Sequence, residues 1–184
     1  MESLIELDKS IFIFLNNLGI EFFDNLWLII TDKKSSIPLY LILIFFLYKT
    51  LKRYDFIKYL IVIIILITLT DQTSGLFKDY FERLRPCHDL SINNQIRIVK
   101  EGCGGLYGFF SAHAANTFAI ASFFYFSFKT RSPYFFLLFF WASIVSYSRI
   151  YVGVHFPLDI IVGGIFGILT GLFFAYGINK INFS

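Results

Sequence analysis

The sequence predicts an all-α integral membrane protein: a helical bundle of five to six spanning helices, preceded by an N-terminal amphipathic helix. Three observations carry this. Of the 184 residues, 57% are hydrophobic and only 16% are charged, whereas soluble domains carry about 25% charged residues. Mean hydropathy is +0.67. The apolar residues also gather in runs that approach the roughly 20 residues a helix needs to cross the hydrocarbon core. A net charge of +3 is too small to suggest a nucleic-acid partner. The chain opens on the polar and acidic MESLIELDKS, which does not read as a signal peptide.

The elements follow in order. Residues 3–16 place Leu4, Ile5, Leu7, Ile11, Phe12 and Leu15 at helical spacing, which predicts an amphipathic helix lying in the membrane interface. Residues 20–32 are apolar but short. They are either re-entrant or joined to the first helix as a sixth span, and the side of the N-terminus stays open with that choice. Five spanning runs come next, at about 36–50, 57–77, 111–128, 133–148 and 156–177. The chain thus reads as one domain, 1–184, with an arm at 1–34, a helical core at 36–177 and a polar loop at 78–110. On the last helix Gly163, Gly164, Gly167 and Gly171 recur at i, i+4 and i+8, a stripe that lets helices pack closely in lipid.

Short loops rich in Lys and Arg face the cytoplasm. Lys49, Lys52, Arg53 and Lys58 lie in one loop, Lys129 and Arg131 in another, and Lys180 in the tail. Alternation puts these on one side, and the 78–110 loop and the 149–155 turn together on the outer side.

Three motifs share that outer face. Lys78 and Arg85 are two helical turns apart, so on a continuous helix they share a face, and Pro86 then ends it. Arg grips phosphate through two parallel hydrogen bonds, and Lys acts as a point charge. The plainer reading is a basic cluster for anionic headgroups, which suits Arg83, offset on the helix, better than the site does. Ser111 and His113 open an apolar helix, where backbone N–H groups favour an anion. Ser111 also fits an N-cap. His155 and Asp159 are spaced i, i+4, six residues after Arg149. A carboxylate on one imidazole nitrogen fixes the tautomer and frees the other nitrogen to attack. Ionisable groups inside a membrane domain point to function by default. The set suits a phosphate ester at the membrane edge.

Lys-x6-Arg-Pro (78–86), Ser-x-His (111–113) and Ser-Arg-x5-His-x3-Asp (148–159) together resemble the type 2 phosphatidic acid phosphatase family over about residues 70–177. The middle motif departs from it, with Phe110 and Ala112 where the family usually has Pro and Gly. The resemblance implies a membrane lipid phosphatase. His155 would attack phosphorus and form a phosphohistidine, Asp159 would orient the ring, and His113 would protonate the leaving oxygen and then activate water. Lys78, Arg85, Ser111 and Arg149 would hold the phosphate oxygens. These cations take the part a divalent metal plays elsewhere, so no metal and no other cofactor is expected. The expected partners are the bilayer and a lipid phosphate presented on the outer, periplasmic face of a bacterial inner membrane. Undecaprenyl diphosphate is the first choice, on family prevalence. Lipid A phosphate is the second, with phosphatidylglycerol phosphate and phosphatidate also compatible. Vanadate-dependent haloperoxidases use the same constellation but are soluble, so the apolar spans argue against that activity. A non-catalytic anionic-lipid binder or transporter would need the cations but not the His155–Asp159 pair.

Four residues remain. Cys87 and Cys103 both lie in the outer loop. A disulfide between them would close a loop of about 15 residues and stabilise by roughly 3 kcal/mol; two free thiols are the alternative. His88 reads as a rim residue. Asp71, within a span and seven residues before Lys78 on the same face, reads as satisfying polar groups between helices, with positioning of the site as the alternative.

Overall fold

The computed structural model describes residues 2–182, and among them there are helices, turns and no strand. Seven α-helices run in order: α1 (Glu2–Asn17), α2 (Asp24–Thr31), α3 (Ile37–Thr50), α4 (Arg53–Phe81), α5 (Ala112–Phe128), α6 (Leu137–Tyr151) and α7 (Pro157–Asn182). Short 3-10 turns lead into α2, α3 and α6. Three segments are long and apolar enough to cross a membrane alone: Arg53–Phe81, Pro133–Tyr151 and Pro157–Lys180. The α1–α2 pair would be a fourth if it is one broken span, bent by 84°. α5, with 17 residues, sits at the lower end of spanning length, and α3, with 14, is shorter.

α5 is the centre of the bundle. Ten of its residues are buried, and it packs most closely against α7. The glycine stripe explains the contact. A Cβ at Gly163 would meet the Ser111 carbonyl, at Gly167 the Ala115 carbonyl and at Gly171 the Ala119 carbonyl. The two i, i+4, i+8 rows therefore touch backbone to backbone, as the spacing predicts. Below them Leu47, Leu66, Phe123, Phe124 and Phe128 fill the core.

The N-terminal helix forms where the periodicity places it, and packs inward through a stripe that takes Phe12 and Leu15 from the apolar set and adds Asp8 and Asn16. Leu4, Ile5, Leu7 and Ile11 are exposed, whereas Asp8, Phe12 and Asn16 are buried. Around a membrane protein the outer medium is itself apolar, so the apolar face can turn outward and the polar stripe inward. Asn16 donates to the carbonyls of Arg97, Ile150 and Tyr151 and accepts from the Arg97 amide. Phe12 meets the Phe156 ring edge-on at 5.2 Å.

Asp71 does not bridge helices; it is exposed. Its neighbour Thr70 makes that contact instead, donating to Asn116 on α5.

Candidate active site

Four helix ends and one loop converge here. α4 stops at Phe81, with Glu82 in the left-handed region at φ 46°, so Arg85 is not on the helix with Lys78 as the spacing suggests. Residues before proline are pushed out of the α region, and Arg85 is extended (φ −71°, ψ 156°). The segment pairs with the far end of its own loop: Leu84 bridges Tyr107, the Arg85 amide donates to Leu106 and the Gly108 amide to Arg83. The Arg85 guanidinium, 9% exposed, donates to the carbonyls of Tyr107 and Cys103. Cys103 is paired with Cys87 as a disulfide, with Cα atoms 6.3 Å apart, inside the range a disulfide spans. His88 lies beside this pair and is half-buried.

Ser111 is the N-cap of α5, its Oγ accepting from the Ala114 amide at 3.5 Å. Its own amide donates to the Asp159 carbonyl, tying α5 to α7. Phe110, in the place usually held by proline, is buried against Phe77 and Phe166, and its carbonyl accepts from Ser74. Packing and a hydrogen bond thus fix the entry to α5. His113, in the first turn of α5, is largely enclosed, and its Nε2 has no hydrogen-bond partner among the described residues.

His155 precedes α7, and Asp159 lies in its first turn. His155 Nδ1 is 3.3 Å from Asp159 Oδ2, so the pair forms across the helix start. The same oxygen accepts from the Phe156 amide at 3.0 Å. Both side chains are buried, at 2% and 0% exposure. Burial first, then the charges of Arg149, Arg85 and Lys78, push the His155 imidazole well below its ordinary pKa, which keeps the ring neutral. Arg149, 3% exposed, donates to Thr31 Oγ1 at 2.5 Å, so α2 helps aim it. Lys78 is half-buried and close enough to Arg85 and Arg149 to feel both.

Two cavities reach His113. One, of about 470 Å³, is the polar mouth, lined by Thr31, Lys33, Lys34 and Lys100. Burial, then Arg149 and Arg85, push the Lys100 ammonium below its ordinary pKa, a sign of concentrated positive potential. The other, of about 570 Å³, runs along α3, α4 and α5 and is mainly apolar, lined by Tyr40, Leu43, Ile63, Ile67 and Ile120 among others.

Residues 56–183 match the sequence model of the PAP2 superfamily. The chain belongs to this family. The lipid A 4'-phosphatase of Bacteroides thetaiotaomicron is 32% identical over 183 residues, covering 98% of this chain and 81% of that protein. The lipid A 4'-phosphatase of Porphyromonas gingivalis is 33% identical over 178 residues, covering 94% and 73%. Among solved structures, Aquifex aeolicus LpxE matches with a TM-score of 0.70 at 25% identity, over 91% of this chain and 94% of that one. The first transmembrane PAP2-type phosphatidylglycerolphosphate phosphatase from Bacillus subtilis shares the fold, with a TM-score of 0.74 at 19% identity over 98% and 88%. Together with its apolar helices, this makes the PAP2 chain an integral membrane lipid phosphatase.

Two residues of this PAP2 site were not read from the sequence as part of it. Arg83 is not a headgroup contact: it donates to Asp159 Oδ1 at 2.8 Å and to Asp8 Oδ2 at 2.5 Å. Asp8, on α1, carries no motif. Its one signal is a carboxylate amid helical apolar residues, on the stripe that also holds Phe12 and Asn16.

Proposed function

We propose that the chain is a lipid A phosphatase working by a metal-independent, two-step histidine mechanism. The observation that carries this is the likeness to two lipid A 4'-phosphatases over nearly the whole chain, beyond the motifs any PAP2 enzyme shares. It moves the substrate reading from undecaprenyl diphosphate, preferred on prevalence, to lipid A.

The geometry supports the chemistry. His155, held neutral and fixed through Nδ1 by Asp159, presents its other nitrogen to phosphorus and displaces the sugar oxygen. His113, unpaired at Nε2, is placed to give that oxygen its proton and then to take one from the water that cleaves the phosphohistidine. Lys78, Arg85 and Arg149, with the Ser111 N-cap and its helix start, neutralise the equatorial oxygens. The mouth lysines draw an anionic headgroup in, and the apolar cavity takes an acyl chain from the bilayer. The active site faces the periplasm from the inner membrane, where the sugar phosphates of lipid A are within reach.

The test is phosphate release by purified protein in detergent, with EDTA present. The panel is lipid A, undecaprenyl diphosphate, phosphatidylglycerol phosphate and phosphatidate, with His155→Ala as control. EDTA-resistant release from lipid A, absent in the variant, supports the reading. A preference for another lipid overturns the substrate, and activity in His155→Ala overturns the nucleophile.

A further inference from the structure

We propose that the N-terminal helix is part of the catalytic apparatus: Asp8 acts through Arg83 as a positioning residue for the Asp159–His155 pair. The inference rests on His155 being the nucleophile. Asp8 lies outside the residues matched by the family model, which begin at 56.

The contacts run without a break from His155 to α1. Asp159 Oδ2 takes the His155 ring and the Phe156 amide, and Oδ1 takes Arg83. Arg83 spans two carboxylates, Asp159 and Asp8, and its guanidinium lies over the Phe156 ring at 4.4 Å. Asp8 accepts with its second oxygen from the Leu158 amide at 2.9 Å, in the first turn of α7. Phe156 and Leu158 both flank the His155 turn, so α1 grips that turn from two points. Asp8 is only 5% exposed, and a buried carboxylate is costly unless paired and hydrogen-bonded.

Electrostatics gives the arrangement a purpose. Arg83 alone would neutralise Asp159 and weaken its hold on a ring that becomes positive as it bonds phosphorus. Asp8 balances Arg83, so the group of three keeps a net negative charge facing His155. The fork of Arg supplies two donors in fixed directions, which the single ammonium of Lys cannot reproduce. Arg83 spends Nη1 and Nη2 on Asp159 and Asp8, and Asp8 spends its two oxygens on Arg83 and the Leu158 amide, so their loss is expected to act on turnover more than on substrate affinity.

The experiment uses the full chain in detergent with lipid A, comparing Asp8→Asn, Asp8→Glu, Arg83→Lys, the Asp8→Asn/Arg83→Lys double variant and His155→Ala. Asp8→Asn should lower kcat by about tenfold with KM within about threefold. Arg83→Lys should lose a similar amount, and Asp8→Glu should recover part of it. The double variant should be no more than about twofold worse than Arg83→Lys alone, because residues acting as one unit are not additive. Full kcat in Asp8→Asn, a rise in KM alone, or multiplicative losses in the double variant would each overturn the proposal. If Asp8→Asn fails to fold, Arg83→Lys, which keeps the charge, carries the same kcat-against-KM test. Should His155→Ala stay active, the nucleophile assignment falls; should it be dead while Asp8→Asn is normal, only the positioning role falls.

Discussion

Gly108 lies against three groups of the candidate site at once. A Cβ there would lie 3.1 Å from Asp159 Oδ2, 3.2 Å from Arg85 Cγ and 3.6 Å from His155 Nδ1. None of the three can retreat freely: Arg85 is held by two carbonyls and Asp159 by Arg83 and Phe156. Displacing reacting groups by a few tenths of an ångström is expensive in rate. Gly108→Ala is therefore expected to cut kcat/KM by about ten- to a hundredfold while the protein stays folded, read from lipid A turnover beside a thermal midpoint. Arg149→Lys should behave similarly, with at least about a tenfold loss, because the forked donor that both meets Thr31 and faces the site is gone. The residues proposed to carry the chemistry could be named from the sequence because such a reaction restricts their types. Arg83 could not, because its direction depends on backbone state. On a helix, residues 83 and 85 diverge; on the extended segment that actually forms, i and i+2 line one face, and both reach the His155–Asp159 pair.

Among the elements, the α5–α7 contact gives the sharpest stability test. A Cβ at Gly167 would run into the Ala115 carbonyl oxygen and come within 3.0 Å of the Ala119 amide nitrogen. These are backbone atoms on a buried helix, so the helices must part. Gly167→Ala should destabilise by about 1–3 kcal/mol, seen as a lower thermal midpoint in detergent. Gly177→Ala, with nothing within 4 Å, should be neutral or slightly stabilising by helix propensity. Helix positions were readable from apolar runs: the runs at 36–50 and 111–128 became Ile37–Thr50 and Ala112–Phe128. The inward face of α1 was not readable. Hydrophobic periodicity finds a buried face only when the surroundings are water. Beside lipid the same signal marks the outside, and the buried stripe is the polar one, Asp8 and Asn16 with Phe12 between them. The unreadable face and the unrecognised Asp8 are one and the same gap.

At the scale of the molecule, the bundle has two chemically distinct ends. The loop bearing Arg85 is fastened by the Cys87–Cys103 pair, by the Leu84–Tyr107 bridge, and by Arg97, which donates to both oxygens of Asp24 beyond α1. Iodoacetamide should add mass at both cysteines only after reduction. Cys87→Ser/Cys103→Ser should then raise KM by loosening the Cys103 carbonyl that Arg85 uses. The other end gathers the basic turns: Arg131 donates to Thr50, and Tyr59 donates to Asn179 beside Lys180. Those contacts bring the three cationic segments of the sequence together at one pole. The site cations occupy the opposite pole, where they weaken any simple count of Lys and Arg. Yet Lys78, Arg85 and Arg149 are buried or half-buried, and the exposed Lys33 and Lys34 at the mouth are outnumbered by the exposed Lys49, Lys52, Arg53, Lys129, Arg131 and Lys180 at the basic pole, and exposed loop charge carries the positive-inside bias. The basic pole is therefore expected in the cytoplasm and the phosphatase site in the periplasm. Leu90 (83% exposed) sits on the site's loop, and Thr130 is exposed on the basic turn. In spheroplasts, Leu90→Cys should react with an impermeant maleimide directly, and Thr130→Cys only after permeabilisation. The reverse pattern would put the site in the cytoplasm, and the enzyme would then meet its lipid before export.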